Sequence, residues 1–321
     1  MNDGVVTEKR LVIGVDIGGT IIKCGVVDPA KGKVLKEIST ATPNANSHDI
    51  AKLVARQVNI LSHSYPDIMD VGIGVPGSLN PERTLAKYPP NFPLWSEEPL
   101  AEYVKQALPH FDRVEMDNDA NAATLAEATF GAGKKEKYFL LATLGTGVGG
   151  GIWADGAIFR GAFGGAGEFG HISIAYDGDE CNCGSRGCIE AYIGRQYLIK
   201  RTVAKLTTSK TPSSLRSKLP PNLLDPKDIT EAAMNGDAFA IDVLKESGNL
   251  LGVAFANVAK LLDIRTFIVT GGIAEAKELL LVSARESLIG NVFVNQKESV
   301  RIVESKLANK AGVIGAALLV R

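Results

Sequence analysis

Leu11-Val12-Ile13-Gly14-Val15-Asp16-Ile17-Gly18-Gly19-Thr20-Ile21-Ile22-Lys23-Cys24-Gly25-Val26-Val27 decides the fold. Leu11 to Val15 is a short apolar run ended by a turn signal, which reads as a buried strand. Asp16-Ile17-Gly18-Gly19-Thr20 is a glycine turn, and Ile21 to Val27 resumes as a strand. Asp28-Pro29-Ala30-Lys31-Gly32 turns again, and Lys33 to Ser39 makes a third strand. The same signals return in the same order further on. Phe139 to Leu144 is an apolar strand, Gly145-Thr146-Gly147-Val148-Gly149-Gly150 a glycine turn, Gly151-Ile152-Trp153 a strand, Asp155-Gly156 a hairpin turn and Ala157 to Phe159 a third strand. Two copies of strand, glycine turn and hairpin point to an internal duplication, with a ligand between the two glycine turns.

Helices and strands alternate around these copies. Ile50, Leu53, Val54, Gln57, Val58 and Leu61 keep helical spacing. Asp70 to Val75 reads as a strand, and residues 76–99 hold six of the fourteen prolines, which marks a stiff loop. Val114-Glu115-Met116 is a short strand, and Asp117-Asn118-Asp119-Ala120-Asn121 leads into an alanine-rich helix. Residues 207–226 read as a surface loop. Helices are expected near 228–246 and 247–262, split around Ser247-Gly248, then at 276–288 and 311–320, with a strand at 266–269. The mixture defines an α/β protein.

Length and composition narrow the function classes. A chain of 321 residues suggests about two domains, and 45% hydrophobic residues supply full-sized cores. The formal net charge is −1, from 35 basic and 36 acidic residues. With no basic stripe, nucleic acid is not an expected partner. The polar start lacks the apolar core of a signal peptide, and no apolar run is long enough to span a membrane. Clustered cysteines without a paired framework fit a reducing compartment, so a cytoplasmic protein is expected.

Four motifs carry chemistry. Cys181, Cys183 and Cys188 fall within eight residues, with His171 ten positions upstream. One imidazole and three thiols suit a closed tetrahedral Zn²⁺ site. The competing readings are a disulfide or buried apolar thiols, but three cysteines cannot all pair, and Cys181 and Cys183 are too close to bridge without strain. Glu168 and Glu190 bracket the cluster, so a metal that fixed the loop would fix both carboxylates. Asp16-x-Gly18-Gly19-Thr20 closes a strand; its amides suit phosphate oxygens and its carboxylate suits Mg²⁺, while an ordinary hairpin turn is the alternative. Gly145-x-Gly147-x-x-Gly150 matches the dinucleotide fingerprint in letters. That fingerprint needs a helix straight after the glycines, and Trp153-Ala154-Asp155-Gly156 gives a strand and a turn. Asn118-Asp119-x-Asn121 stands where a strand meets a helix. Asp119 there is either a helix cap or a general base, and Asn118 can serve neighbouring hydroxyls. Two glycine turns, one candidate base and no nucleophile motif converge on phosphoryl transfer, which needs positioning and charge stabilisation.

At these residues the chain resembles the bacterial sugar kinases of the repressor–open reading frame–kinase (ROK) family. The motifs are Asp16-Ile17-Gly18-Gly19-Thr20, Gly74-Val75-Pro76-Gly77, Pro89-Pro90-Asn91, Asn118-Asp119-Ala120-Asn121-Ala122-Ala123, Gly145 to Gly151, Gly167-Glu168-Phe169-Gly170-His171 and Cys181-x-Cys183-Gly184-x-x-Gly187-Cys188-x-Glu190. The resemblance runs from about Val12 to the C-terminus. It implies a duplicated actin/hexokinase-like (ribonuclease H-like) two-domain fold with a central cleft, and ATP-dependent phosphorylation of a hexose at its 6-hydroxyl. Asp119 matches the catalytic base, and Asn91, Asn118, Glu168, His171 and Glu190 match residues that grip sugar hydroxyls. Cys181, Cys183, Cys188 and His171 match structural zinc ligands. Gly18, Gly19, Thr20, Gly145, Thr146 and Gly147 match the ATP phosphate loops, and Gly271-Gly272 the adenosine-side turn, where Thr270 replaces a first glycine common in relatives.

Within the family the chain looks most like the glucokinases, through Glu190-Ala191-Tyr192 and the Pro89-Pro90-Asn91 loop. Kinases for N-acetylglucosamine, N-acetylmannosamine, fructose or mannose remain alternatives, because the same side chains serve any of these sugars. A sugar-sensing regulator is disfavoured by the short segment before the first strand. The family implies ATP, Mg²⁺ and Zn²⁺ as cofactors and a homo-oligomer. The expected small domain covers residues 1–118 plus 305–321, and the large one 119–304.

Overall fold

β1 (Val12–Ile17) and β2 (Ile21–Asp28) form the expected hairpin, and β3 (Lys33–Ala41) continues it. The computed structural model describes residues 10–89, 92–219 and 223–321. After β3 come α1 (Ser47–Ser62), β4 (Asp70–Val75), a small antiparallel sheet of β5 (Ser78–Leu79), β6 (Ala86–Lys87) and β7 (Glu97–Glu98), then α2 (Leu100–Ala107), β8 (Arg113–Asn118) and α3 (Asp119–Phe130). The first large sheet runs β3-β2-β1-β4-β8. Its hairpin half is antiparallel, and β1, β4 and β8 run parallel. Every residue of β4 is buried, as expected of a parallel strand covered on both faces. α1 lays Ile50, Val54, Val58 and Leu61 into this core, each contributing about 1.5–3 kcal/mol of burial. Asn46 caps it by accepting the Asp49 N–H at 3.0 Å.

The chain divides into two compact units. The first holds residues 1–131, 160–165 and 310–321. Its last piece is a C-terminal helix, Ala311–Leu318, in which all residues but Gly312 are buried. This helix lies against β1 and β4 so closely that a Cβ on Gly14 would overlap the Val313 carbonyl, and one on Gly72 the Ala316 carbonyl. α3 packs on the same helix within the first unit, so the division falls one helix later than residue 118.

The second unit holds residues 132–159 and 166–309. It contains β9 (Tyr138–Leu144), β10 (Val148–Ala154), β11 (Ala157–Ile158), α4 (Glu190–Ile193), α5 (Arg195–Thr208), α6 (Pro226–Met234), α7 (Ala238–Leu262), β12 (Thr266–Thr270), α8 (Glu278–Asn291) and β13 (Arg301–Glu304). The sheet runs β11-β10-β9-β12-β13, with β9, β12 and β13 parallel and the hairpin half antiparallel. Order and direction repeat those of the first sheet, which is the duplication read from the two glycine turns. Asp155 and Gly156 both take positive φ, 49° and 90°, as a two-residue hairpin turn requires.

One helix differs from its expected form. α7 is continuous from Ala238 to Leu262, and the break comes earlier, at Asn235-Gly236-Asp237. Asp237 is the cap, accepting the Ala240 N–H at 3.1 Å. Ser247 stays in the helix by bonding the Val243 carbonyl at 2.8 Å. Gly248 and Gly252 face α8, where a Cβ would overlap the Leu280 and Ala284 carbonyls. These small residues permit close helix packing instead of ending a helix. Among the described residues no helix is long and apolar enough to cross a membrane.

Gly248→Ala tests this packing. Alanine gains up to about 1 kcal/mol of helix propensity, but overpacking against a fixed carbonyl costs about 1–3 kcal/mol. Net destabilisation is expected, read from urea unfolding followed by circular dichroism.

Candidate active site

In the first unit the site residues gather at the carboxyl ends of the parallel strands, where open α/β sheets bind ligands. Asp16, next to last in β1, stands opposite Gly74 of β4, and Val75 stands opposite Asn118 of β8. Gly74 is crowded by the backbone of Asp119: a Cβ on it would lie 3.3 Å from the Asp119 Cα. Asp16 and Asp119 therefore flank one glycine. Beyond Asp16 the hairpin is tight. Gly18 N–H donates to the Ile21 carbonyl at 3.0 Å, and the Thr42 hydroxyl donates to the Gly18 carbonyl at 2.7 Å. Burial raises the Asp16 pKa above its ordinary value; Lys23 pulls it down and Glu37 pushes it up. A dication beside it would favour the charged form.

The cap of α3 is Asn118, not Asp119. Asn118 Oδ1 accepts the Asn121 N–H at 3.0 Å, while its Nδ2 donates to the Gly77 carbonyl at 3.0 Å. Asp119 is the first helical residue and accepts the Ala120 N–H at 2.8 Å. The capping role left open for Asp119 thus belongs to its neighbour. Behind them Asp117, only 1% exposed, receives Arg160 Nε at 3.0 Å and Nη2 at 2.5 Å. Asn91 lies outside the described residues.

In the second unit the turn Gly145-Thr146-Gly147 joins β9 to β10, and β10 begins at Val148. A strand follows the glycines, so the dinucleotide reading fails on its own requirement. Gly145 N–H donates to the Gly147 carbonyl at 2.9 Å. Arg195 N–H, at the start of α5, lies 3.2 Å from both the Gly145 and Thr146 carbonyls. The buried Glu190 accepts the Val148 N–H on Oε2 at 2.8 Å, and that oxygen fills the space a Gly147 side chain would need. One carboxylate thus links the end of the cysteine loop to the glycine turn. Gly271 follows β12 with φ 98° and abuts the Leu144 backbone at the end of β9, so Gly271-Gly272 sits beside the same turn.

Glu168 precedes a single 3-10 turn, Phe169–His171, and His171 is its last residue. Phe169 anchors it, stacking on Phe255 at 5.0 Å between ring centroids. The Glu168 side chain keeps solvent access, yet the protein around it strips enough hydration to raise its pKa, with His171 lowering it and Glu190 raising it.

The cysteine loop brings its four expected donors together. One donor atom each from His171, Cys181, Cys183 and Cys188 lies within 4.8 Å of all the others. His171 Nδ1 is 3.6 Å from Cys181 Sγ, and Cys183 Sγ is 3.6 Å from Cys188 Sγ. Zn–S bonds of about 2.3 Å set tetrahedral edges near 3.8 Å, so these spacings fit zinc. No disulfide competes, because all four cysteines are free. Without a cation burial holds the Cys181 thiol up and pushes that of Cys188 to about 12; metal coordination would deprotonate them. Gly184 and Gly187 take φ of 88° and 70° to turn the loop. Tyr197 Oη accepts the Asn182 N–H at 2.9 Å and secures the loop from α5.

The duplicated hairpin-plus-parallel sheets, each with a glycine turn, define an actin/hexokinase-like α/β protein. The model of the ROK family matches residues 12–321, and the chain belongs to that family. It is 38% identical over 322 residues to a glucokinase of Streptomyces coelicolor, covering 97% of this chain and 98% of that protein. Identity to a glucokinase of Thermotoga maritima is 34% over 316 residues, covering 98% of each. A crystal structure of a ROK family glucokinase from Streptomyces griseus in complex with glucose and AMPPNP matches with a TM-score of 0.86 at 37% identity, covering 96% of this chain and 98% of that one.

Three contributors escaped sequence reasoning. Asp117 and Arg160 are 43 residues apart, and the Arg195 contacts are made by its backbone, which no side-chain pattern announces. Asn118→Ala removes a cap and a tether to Gly77 together. The expected loss is about 1–2 kcal/mol, measured by urea unfolding.

Proposed function

We propose that this protein is an ATP-dependent hexose kinase acting on glucose, which it converts to glucose 6-phosphate and ADP. The observation that carries the reading is the pairing of Asp16 and Asp119 around Gly74, at the carboxyl ends of β1 and β8. One carboxylate stands beside a phosphate-type glycine turn, and the other at the first position of a helix that Asn118 caps. The glucokinase relatives, and a structural neighbour that binds glucose and AMPPNP, point the same way.

In this reading Asp119 accepts the proton of the sugar 6-hydroxyl as its oxygen attacks the γ-phosphorus. The P–O bond to the β-phosphate breaks, ADP leaves, and the proton stays on Asp119 until solvent takes it. Glu168, His171, Glu190, Asn118 and Asn91 hold the other hydroxyls. With His171 Nδ1 turned to the sulfurs, its Nε2 is the nitrogen that can meet one. Gly18, Gly19, Thr20, Gly145, Thr146 and Gly147 receive the phosphates, with Gly271-Gly272 on the adenosine side. Mg²⁺, held from Asp16, would screen the phosphate charge. Zn²⁺ on His171, Cys181, Cys183 and Cys188 would keep the sugar-binding loop rigid, with no open position for catalysis. We place the enzyme in the cytosol, as a homo-oligomer; light scattering on the purified protein checks the latter.

ADP release, coupled to a reporter and measured with glucose, mannose, fructose, N-acetylglucosamine and N-acetylmannosamine, tests the assignment. Glucose is expected to give the highest kcat/KM, and absence of hexose-dependent ADP release would refute the reading. Asp119→Asn should lower kcat by about 10²–10⁴-fold with little change in sugar affinity, since the amide still forms hydrogen bonds. Metal analysis should find one zinc per chain. Cys183→Ala should lose it, lower the thermal midpoint and raise the sugar KM. Full activity and stability in a zinc-free Cys183→Ala protein would rule out the structural metal.

A further inference from the structure

Asp117 is a buried carboxylate directly under the proposed base. Oδ1 accepts the Asn118 N–H at 2.8 Å and Asn121 Nδ2 at 3.2 Å. Oδ2 takes two donors of Arg160, Nε at 3.0 Å and Nη2 at 2.5 Å. The side chains are 2% and 30% exposed. Arg83 Nη1 lies 3.7 Å from the same oxygen, beyond hydrogen-bond range, so it adds charge without fixing orientation. Arg160 follows β11 in sequence but packs in the first unit with residues 161–165.

We propose that Asp117, clamped by Arg160, is a positioning residue for the Asn118–Asp119 turn; this rests on the kinase reading of Asp119. A buried ion pair is weak evidence for stability, because desolvation offsets attraction. What this pair does supply is direction. The guanidinium fork fixes one carboxylate oxygen, which aims the other at the Asn118 amide and the first turn of α3. Asn118 is thereby held at its N–H, while its Oδ1 and Nδ2 bond Asn121 and Gly77, and Asp119 follows it with little backbone freedom. A base displaced by about 1 Å can lose 10²-fold in rate.

The competing role is to dock residues 160–165. That docking has other supports: a Cβ on Gly164 would overlap the Leu79 carbonyl, and one on Gly165 would touch Ser78. Removing the guanidinium therefore probes the clamp more than the docking.

The test uses the full chain with Arg160→Gln, Arg160→Lys, Asp117→Asn and the Asp117→Asn/Arg160→Gln double variant. Glucose and ATP are varied separately, and folding is followed by circular dichroism and thermal midpoint. Arg160→Gln and Asp117→Asn should lower kcat by about 10- to 100-fold while the KM for ATP stays near wild type. Arg160→Lys should recover part of the loss, because it keeps the charge and loses the fork. The double variant should lose no more than Asp117→Asn alone. Folded Arg160→Gln protein with kcat within about twofold of wild type overturns the proposal, as does a loss confined to KM. If Arg160→Gln does not fold, Asp117→Asn decides by the same criterion. An active wild type with unaffected variants removes only this inference. A wild type without hexose-dependent turnover removes the kinase reading and this inference together.

Discussion

The close approach of the C-terminal helix to the first sheet is the constraint on which that unit's site depends. Val313 and Ala316 carbonyls occupy the space where Gly14 of β1 and Gly72 of β4 would carry side chains. Gly312 meets the Asp16 carboxylate of β1, and on the helix's other side Gly315 meets the Ala122 carbonyl of α3. The helix is thus pinned between sheet and α3 at backbone distance. A close-packed interior transmits a shift of a few tenths of an ångström. A bulkier residue at any of these contacts would press on the two elements that present Asp16 and Asp119.

The second unit solves a harder local problem. Residues 167–189 contain little regular structure, and such segments are ordinarily mobile. A binding site needs the opposite, side chains held to within about 0.5 Å. Here the segment is secured from inside by Phe169, whose partner Phe255 stacks in turn on Phe267 of β12 at 4.6 Å. It is closed across its width by the Ser173–Cys188 bridge and at its tip by Tyr197. The four metal-type donors gather between these supports. Glu190 leaves the segment already bonded to Val148, so the loop and the glycine turn share one carboxylate.

The sequence made legible those features that are local. Strand, glycine turn and hairpin are set by neighbouring residues, so both copies could be read, and the donor spacing of the cysteine loop fell within one stretch. The letters of Gly145-x-Gly147-x-x-Gly150 misled less than their context informed, because a strand after the glycines has its own pattern. The misread lay where a local signal had a tertiary cause. Gly248 looks like a helix break, yet α8 lies against it and requires its lack of a side chain. Likewise Asn118 and Asp119 both suit a cap, and only the turn geometry, with Asn118 bonded to Asn121, chooses between them. The Asp117–Arg160 pair had no signal at all, since it joins residues distant in sequence.

Two carboxylates of the candidate site, Asp16 and Glu168, have raised pKa values, chiefly through lost hydration. An acid whose pKa is raised on folding favours the folded state most when protonated. That contribution is complete below the unfolded-state pKa and is lost as pH rises through the folded value. As pH rises through the folded value, each group therefore takes on charge in surroundings that disfavour it, and this contribution to the fold is lost. In the kinase reading proposed above, sugar hydroxyls would donate hydrogen bonds to Glu168 and a dication held from Asp16 would offset that residue's charge. A ligand that binds only the folded state stabilises it by mass action, so a ligand that relieves the cost of charging these carboxylates would stabilise the fold as it binds.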